Sequence, residues 1–258
     1  MADTPLLTAC IVTYNSEEHI ANVLASLFQS TIADRMEITV ADNASTDRTA
    51  AIVQENFPDV RLIKLHQNIG FGPGHNKALP FLNAPYHLIV NPDITFEPDV
   101  LERMIAFMDS RADVALLTPR VLHMDGSEQF LPKELPSIHF LLGGYLERLG
   151  RPFTAWRRRY TWRDRSMTEP AELFFATGCF MLARAAAFKA VDGFDPRYFL
   201  YMEDADLTRK MKTKGLTLYH PGFSVTHVWA RESAHSLKGT WLHIKSMMQY
   251  FCKWGFKI

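Results

Sequence analysis

Cysteine is scarce in this 258-residue chain, which has three cysteines far apart at Cys10, Cys179 and Cys252. Thiolate zinc sites use closely spaced cysteine pairs, and disulfide-stabilised domains contain more cysteines than this. The chain therefore predicts neither a disulfide framework nor a thiolate metal site, and its cysteine content fits a reducing compartment.

Long hydrophobic runs are also missing. No segment approaches the roughly twenty apolar residues that a membrane-spanning helix needs. The first fifteen residues, MADTPLLTACIVTYN, lack both the basic and the apolar segments of a secretion signal. We therefore expect a cytoplasmic protein.

The chain has no net charge, because its 28 basic and 28 acidic residues cancel. This balance argues against a dedicated nucleic-acid-binding protein, for which a positive excess is typical. Arginines nevertheless crowd the stretch 148–165, among aromatic residues. A solvated charged face and a functional surface both explain this stretch.

The composition, with 47% hydrophobic and 22% charged residues, is that of a folded globular protein. Short apolar segments rich in β-branched residues alternate with helical patterns, which predicts an α/β fold with a mostly parallel central sheet. Strands are predicted at 6–13, 37–41, 60–65, 86–90 and 114–119. The stretch 124–170 breaks this pattern, and we interpret it as a variable insertion or lid.

Polar residues follow the predicted strands directly, at Thr13, Asn15, Asp42, Asn68 and Asp93. Because the carboxyl ends of parallel strands meet at one edge of a sheet, these side chains should lie together in a crevice that suits a nucleotide. Each residue alone is also explained as an ordinary turn or cap residue. Their recurrence favours the nucleotide site.

The tripeptide Asn91-Pro92-Asp93 follows a predicted strand, and its carboxylate could share a divalent cation with a diphosphate. An ordinary turn is the alternative. His227, after a β-prone segment, suits either a metal ligand or a buried histidine. Ser233 and His235 add polar groups nearby without indicating a role.

Three carboxylates, Glu203, Asp204 and Asp206, fall within four positions at a predicted helix start. The helix dipole accounts for one or two of them. Three exceed that need, and a carboxylate in a cleft can act as general base on a sugar hydroxyl. This cluster indicates a catalytic site.

The order of these motifs resembles glycosyltransferase family 2, inverting transferases of the GT-A type. The resemblance covers about 7–226 and depends on Ile11–Asn15, Val40–Asp47, Asn68–Gly72, Asn91–Asp93 and Glu203–Leu207. It implies a GT-A fold, Rossmann-like with a mostly parallel central sheet and flanking helices. It also implies a nucleotide-sugar donor and a divalent metal, Mg²⁺ or Mn²⁺.

The resemblance also implies roles for individual residues. Asp204 would be the catalytic base, with Glu203 as an acceptor-binding or orienting group. Asp93 would bind the metal and His227 would complete its site, with Asn91 in place of the family's first acid. The nucleotide would contact Thr13, Asn15, Asp42, Asn68 and Asn76. The acceptor or sugar would contact Asn91, Gly178 and Asp206.

Residues 1–239 would form the catalytic domain, in which 1–123 bind the nucleotide sugar, 124–170 form the insertion and 171–239 bind the acceptor and carry catalysis. Residues 240–258 form a C-terminal amphipathic segment, which suits either a helix packed on the domain or peripheral contact with the inner face of the cytoplasmic membrane.

The motifs look most like those of bacterial rhamnosyltransferases, which implies dTDP-L-rhamnose as donor and a glycan or lipid-linked acceptor in O-antigen-like lipopolysaccharide or other polysaccharide synthesis. A UDP-sugar transferase of the same family is the alternative. Remoter alternatives are a nucleotidyltransferase and a non-enzymatic nucleotide-binding protein.

Overall fold

A computed structural model describes residues 4–228 and 237–256, so Ser233, His235 and the last two residues lie outside the described residues. The described chain forms one mixed sheet of nine strands with flanking helices. The strands are β1 (Leu7–Thr13), β2 (Met36–Asp42), β3 (Arg61–Lys64), β4 (Tyr86–Val90), β5 (Ile94–Thr95), β6 (Val114–Leu122), β7 (Ala171–Glu172), β8 (Phe180–Arg184) and β9 (Leu216–His227).

The strand order is β3-β2-β1-β4-β8-β6-β9-β5, and β7 pairs with β9. The first four strands are parallel, as the alternating pattern predicts. β8 runs antiparallel between β4 and β6, and β6 pairs parallel with β9. The predicted α/β fold is confirmed, with its parallel part confined largely to the first half of the chain.

The helices are α1 (Ile20–Phe28), α2 (Thr49–Asn56), α3 (Phe71–His75), α4 (Val100–Ser110), α5 (Ile138–Tyr145), α6 (Phe153–Tyr160), α7 (Ala185–Ala190), α8 (Glu203–Met211) and α9 (Leu237–Trp254). The insertion therefore contains a helix pair, α5 and α6. Its arginines and aromatic residues obscure the helical period that would otherwise predict these helices.

The C-terminal segment forms helix α9, which packs on the domain. Tyr250 and Phe251 are buried in an aromatic cluster with Phe140, Tyr160 and Tyr198. This packing supports the interpretation of the segment as a helix packed on the domain. Within 4–228 and 237–256, no helix has the length and apolarity needed to cross a bilayer.

Hydrogen bonds and ion pairs of the buried Asp206 side chain connect α9 to α8. The fully buried carboxylate of Asp206 accepts a hydrogen bond from Trp254 Nε1 at 2.7 Å, and the ammonium of Lys253 lies 2.7 Å from the same oxygen. Lys253 Nζ also lies 2.8 Å from Asp195 Oδ2, and Arg209 stacks on the Trp254 ring. We call Asp195, Asp206, Lys253 and Trp254 the α9 anchor.

Two histidines, His75 on α3 and His87 on β4, are completely buried, and they predict acid sensitivity. Burial lowers the pKa of His87 to about 3, and burial together with the charge of His87 lowers the pKa of His75 well below its usual range. An unfolded histidine titrates near ~6.5. Below that pH the unfolded chain binds more protons than the folded one, so stability falls as pH is lowered.

We expect each buried histidine to cost about 1.4 kcal/mol of unfolding free energy between pH 7.5 and pH 5.5. Urea unfolding at the two pH values measures this loss. His87→Leu should reduce the loss by about 1.4 kcal/mol, whereas His66→Leu, at an exposed position, should leave it unchanged. An unaltered pH dependence in His87→Leu would contradict the assignment.

Candidate active site

The carboxyl ends of β1 and β2 form a hydrogen-bonded edge, as the strand-end pattern predicts. Thr13 Oγ1 donates to Asp42 Oδ1 at 2.8 Å, and Ser45 Oγ donates to the same oxygen at 2.5 Å. Asn15 has a positive φ of 53° and accepts a hydrogen bond from Thr46 N at 2.9 Å through its side chain. The structure therefore brings Thr13, Asn15 and Asp42 together, with Asn15 exposed and Thr13 and Asp42 buried.

The loop after β3 is fastened to this edge by Asn43, a residue to which the sequence pattern assigns no role. Its side chain donates to Gly70 O at 3.1 Å and accepts from Ile69 N at 3.3 Å. Asn68 accepts a hydrogen bond from Gly70 N at 3.0 Å. Asn68 thus lies beside the predicted nucleotide edge, and its side chain stabilises the turn at 68–70.

The structure places Asn76 in a different role from nucleotide binding. Its amide nitrogen donates to Phe194 O at 2.7 Å, and its oxygen accepts from Phe194 N at 2.8 Å. Both polar atoms are therefore engaged in holding the turn before Phe194. These contacts give Asn76 a structural role, and its predicted contact with the nucleotide stays a prediction.

A cavity of about 620 Å³ contains most of the other predicted residues. Its lining includes Asn91, Asp93, Gly178, Glu203, Asp204 and His227. Residues from the insertion, α5, α6 and α9 complete the wall. Asp206 is absent from this lining, because its carboxylate belongs to the α9 anchor, and its predicted sugar contact stays a prediction.

Asp204 stands at the first turn of α8 with its carboxylate held by backbone groups. Gly178 N donates to Oδ2 at 3.2 Å, and Ala205 N donates to Oδ1 at 2.9 Å. Burial raises the pKa of Asp204, while the positive charge of Lys133 and these backbone donors oppose the rise. A partly desolvated carboxylate of this kind is a stronger proton acceptor than a solvated one.

Glu203 is more deeply buried than its neighbour. Burial and the adjacent charge of Asp204 raise the pKa of Glu203 well above its usual range. Among the described residues its Oε2 atom has no hydrogen-bond partner. A neutral carboxyl group next to an ionised one can donate a hydrogen bond to a substrate oxygen, which suits an orienting role.

Gly178 contributes through its backbone and its lack of a side chain. A Cβ atom here would lie 3.0 Å from the Phe71 ring and 3.5 Å from Asp204 Cβ. The glycine thus permits the close approach that its N–H needs to reach Asp204. Gly178, which is predicted to contact the acceptor or sugar, therefore lines the cavity and also orients the Asp204 carboxylate.

Asp93 and His227 line the same cavity as Glu203 and Asp204. They contact each other, with Asp93 Oδ2 3.2 Å from His227 Nε2. Burial raises the pKa of Asp93, but the hydrogen bond and charge of His227 outweigh it and leave this pKa below the usual range. The pairing brings together the carboxylate and the imidazole that the sequence motifs predict for the metal.

Gln129, from the insertion, determines which histidine nitrogen carries a proton. Its Nε2 donates to the carbonyls of His227 at 2.7 Å and Leu122 at 3.2 Å, so its Oε1 is the atom 3.0 Å from His227 Nδ1. Nδ1 must then carry a proton. Nε2 is then the ring nitrogen that faces Asp93, and it is the atom that would ligate a cation held between the two side chains.

The distance between the two ligand atoms of this pair suits a divalent cation. Two ligand atoms at ~2.1 Å on adjacent positions of an octahedral ion lie about 3 Å apart, close to the observed 3.2 Å. Asn91 Oδ1 is buried nearby without a partner among the described residues. No group of three His, Cys, Asp or Glu side chains converges within the described ranges, so phosphates or water would supply the other ligands.

Comparison with known proteins identifies the family. The profile described as Glycosyl transferase family 2 matches residues 8–192. The chain belongs to glycosyl transferase family 2. The protein is thus a glycosyltransferase, and the nucleotidyltransferase and non-enzymatic alternatives are set aside.

Two curated relatives of this glycosyltransferase are named as rhamnosyltransferases. The N-acetylglucosaminyl-diphospho-decaprenol L-rhamnosyltransferase of Mycobacterium tuberculosis is 30% identical over 249 residues, which cover 90% of this chain and 78% of the relative. The rhamnosyltransferase WbbL of Escherichia coli K12 is 24% identical, with 94% and 91% of the two chains covered.

Solved structures show the same fold. A mannosyltransferase from Pyrobaculum calidifontis, in complex with GDP-Man and Mn²⁺, superposes with a TM-score of 0.64 at 17% identity, over 97% of this chain and 64% of that one. S. aureus TarS 1-349 with UDP-GlcNAc gives 0.65 at 18% identity, over 95% and 66%. This glycosyltransferase therefore spans about two thirds of these solved chains and has a GT-A fold.

Proposed function

We propose that the chain transfers L-rhamnose from dTDP-L-rhamnose, with inversion, to a hydroxyl of a lipid-linked acceptor in O-antigen-like polysaccharide synthesis. The proposal depends on Asp204, a partly desolvated carboxylate that shares one cavity with the Asp93–His227 pair. The rhamnosyltransferase relatives support the donor and the lipid-linked acceptor. Thr13, Asn15 and Asp42 would bind the nucleotide.

The chemistry that these residues support is a single displacement. Asp204 accepts the proton of the acceptor hydroxyl as its oxygen attacks the anomeric carbon, and the nucleoside diphosphate leaves from the opposite face. Glu203, as a neutral acid, orients the acceptor by hydrogen bonding. The Gly178 and Ala205 N–H groups keep the Asp204 carboxylate pointed into the cavity.

Asp93 and His227 would hold Mg²⁺ or Mn²⁺. When bound, the cation would offset the negative charge that builds on the departing diphosphate. The protein's own contribution is to turn Nε2 of His227 toward Asp93 and to hold the pKa of Asp93 below its usual range. Gln129 performs the first of these tasks by accepting a hydrogen bond from Nδ1, and the contact with His227 performs the second.

A variant of Gln129 tests this arrangement. We expect Gln129→Leu to weaken Mn²⁺ binding about 10- to 100-fold, because His227 loses the acceptor that fixes its tautomer. Titration of free Mn²⁺ by electron paramagnetic resonance measures the affinity without substrate. Gln129→Glu retains an oxygen facing Nδ1 and should bind Mn²⁺ nearly as well as the original protein; equal affinities in all three proteins would refute the role.

A donor panel tests the proposed function. The protein is incubated with Mn²⁺ or Mg²⁺, a lipid-linked sugar acceptor and dTDP-L-rhamnose, UDP-glucose, UDP-N-acetylglucosamine or GDP-mannose in turn, and the released nucleoside diphosphate is quantified. Release from dTDP-L-rhamnose, absent in an Asp204→Asn control, is expected. Preference for a UDP-sugar would replace the rhamnosyl donor by the alternative within the family.

We also propose peripheral membrane contact through the outer face of α9. Trp241, Ile244 and Met248 are 60%, 47% and 49% exposed, and they recur at helical spacing beside the cationic Lys245. Such a face suits an interface with anionic lipid. Co-sedimentation with phosphatidylglycerol vesicles should fall in Trp241→Ser, and sedimentation that stays unchanged would contradict this contact.

A further inference from the structure

Lys133, in the insertion, lines the cavity together with Glu203 and Asp204, which we call the acid pair. Its side chain is largely buried, and its ammonium lies 4.3 Å from the centroid of the Phe175 ring. Within residues 4–228 and 237–256, this ammonium forms neither an ion pair nor a hydrogen bond. Removal of an ammonium from water costs free energy that an ion pair normally offsets, so packing alone does not explain a lysine at this position.

The short segment before β8 holds both Lys133 and Asp204. The carbonyl of Phe175 accepts a hydrogen bond from Lys133 N at 3.2 Å, and three residues further on Gly178 N donates to Asp204 Oδ2 at 3.2 Å. The segment therefore connects the backbone that carries the ammonium to the carboxylate of the proposed base. Replacement of the Lys133 side chain leaves both hydrogen bonds in place, because neither uses it.

The charges of Lys133 and Asp204 act on each other. Burial raises the pKa of Asp204, and the charge of Lys133 is the largest of the effects that oppose this rise. Burial lowers the pKa of Lys133, and the charge of Asp204 is the largest of the effects that oppose this fall. Opposite charges that are removed from water attract each other more strongly than charges at a surface. Each group therefore favours the charged form of the other.

Other titratable groups face Asp204 from several elements. Burial is the largest effect on each of them and raises its pKa: Glu203 on α8, Cys179 before β8, Tyr160 on α6 and Tyr250 on α9. Acids with raised pKa values favour their neutral forms. Arg157, on α6, acts on Lys133, whose pKa its charge lowers. Among the described residues, Lys133 is thus the cation whose charge acts most strongly on Asp204.

We propose that Lys133 is a positioning residue of the transfer reaction: its ammonium keeps the proton of the acid pair on Glu203 and leaves Asp204 ionised to accept the proton of the acceptor hydroxyl. This inference rests on the proposed function and adds to it the group that decides which acid is the base. The charge of Asp204 acts more strongly on Lys133 than that of Glu203 does, so the ammonium favours an ionised Asp204. Two adjacent acids that interact share their protons in this way.

Lys133→Met tests this inference, because methionine retains most of the apolar stem and removes the charge. Since kcat/KM rises with pH as the base ionises, loss of the ammonium should move this rise upward by about one pH unit. On the rising limb the variant should lose about tenfold in kcat/KM, and on the plateau at higher pH it should stay within about threefold of the original protein. The profile is measured with Mg²⁺ and the donor that the panel selects.

Two variants serve as matched controls. Lys133→Arg retains the charge and should return the rising limb to its original pH. Lys212 also places its ammonium 4.3 Å from an aromatic centroid, that of Phe174, but it is not among the described residues that line the cavity. Lys212→Met should therefore leave the limb in place. The dissociation constant of the nucleoside diphosphate should be the same in all variants.

Nuclear magnetic resonance of isotope-labelled aspartate carboxyl groups gives a second measurement that needs neither donor nor acceptor. Asp204→Asn identifies the Asp204 signal, and the titration midpoint of this signal should rise in Lys133→Met by about one pH unit, as the limb does. A shifted midpoint in a protein that transfers from no donor would support the effect of Lys133 on the acid pair and contradict the proposed function.

Three results would overturn the inference. An unmoved midpoint and limb would show that Lys133 does not act on Asp204. An equal loss of kcat/KM at every pH would indicate a structural role. Weaker binding of the nucleoside diphosphate with an unmoved limb would assign the ammonium to the donor.

Discussion

Asparagine at position 204 is expected to lower turnover on the order of a thousandfold, because the amide cannot accept the proton of the acceptor hydroxyl. The nucleotide edge at Thr13 and Asp42 is untouched by this change, so the dissociation constant of the nucleoside diphosphate should remain the same. Single-turnover kinetics and equilibrium binding of the nucleotide measure the two quantities separately. Turnover that survives intact would remove Asp204 from the proposed mechanism.

The neighbouring acid gives a matched control for Asp204→Asn. Burial and the charge of Asp204 favour the protonated form of Glu203. Glu203→Gln retains the shape of that form and its ability to donate, so turnover should fall far less than in Asp204→Asn. If Glu203→Gln proves the more damaging change, the base is Glu203.

The pH profile gives a third observation on the same pair. The base acts when ionised, so kcat/KM should rise with pH along a limb that lies above the range of an ordinary aspartate, because burial raises the pKa of Asp204. This limb should be missing from the residual activity of Asp204→Asn.

Removal of the Asp206 carboxylate is expected to have the largest effect on stability. Asp206→Ala leaves the Trp254 indole N–H and part of the Lys253 charge buried without their partner, and breaking such a buried pair costs about 3 kcal/mol or more. Lys253 retains Asp195, which keeps the cost at the lower end of that range.

Urea unfolding measures this loss, and hydrogen exchange along α9 shows where it acts. Exchange of the α9 amides should accelerate more than exchange in β1 or β4. Asp99→Ala removes a carboxylate from an exposed ion pair with Arg103 and should cost under about 1 kcal/mol. If the two variants lose the same stability, Asp206 is not an anchor.

The sequence predicts the parallel half of the fold well, because its signals are local. β1, β2 and β4 are short apolar runs, and each ends in a polar residue or is followed directly by one, as with Thr13, Asp42 and Asn91. The acidic group at Glu203 and Asp204 is equally local, because it depends on residue type at a helix start. Parallel pairing turns these local signals into a shared crevice.

The remaining residues of the site depend on contacts between segments distant in sequence, which no local pattern encodes. Gln129 reaches His227 across 98 positions, and Asn76 reaches Phe194 across 118. The arginine-rich stretch indicates a charged surface, but not that Arg157 in particular lines the cavity. Asp206 carries the same acidic signal as Asp204, yet two residues along α8 its side chain meets α9 in place of the cavity.

The reversed strand β8 has a consequence for how the site withstands mutation. Val90 pairs with Phe180, and Asn91 N continues this ladder by donating to Cys179 O at 2.9 Å. Asp93 follows β4, and Gly178, whose N–H donates to Asp204, precedes β8, so both residues lie at the same end of this ladder. Main-chain hydrogen bonds therefore set the spacing between the two carboxylates, so this spacing should tolerate side-chain replacements in the core and drift little as the surrounding sequence diverges.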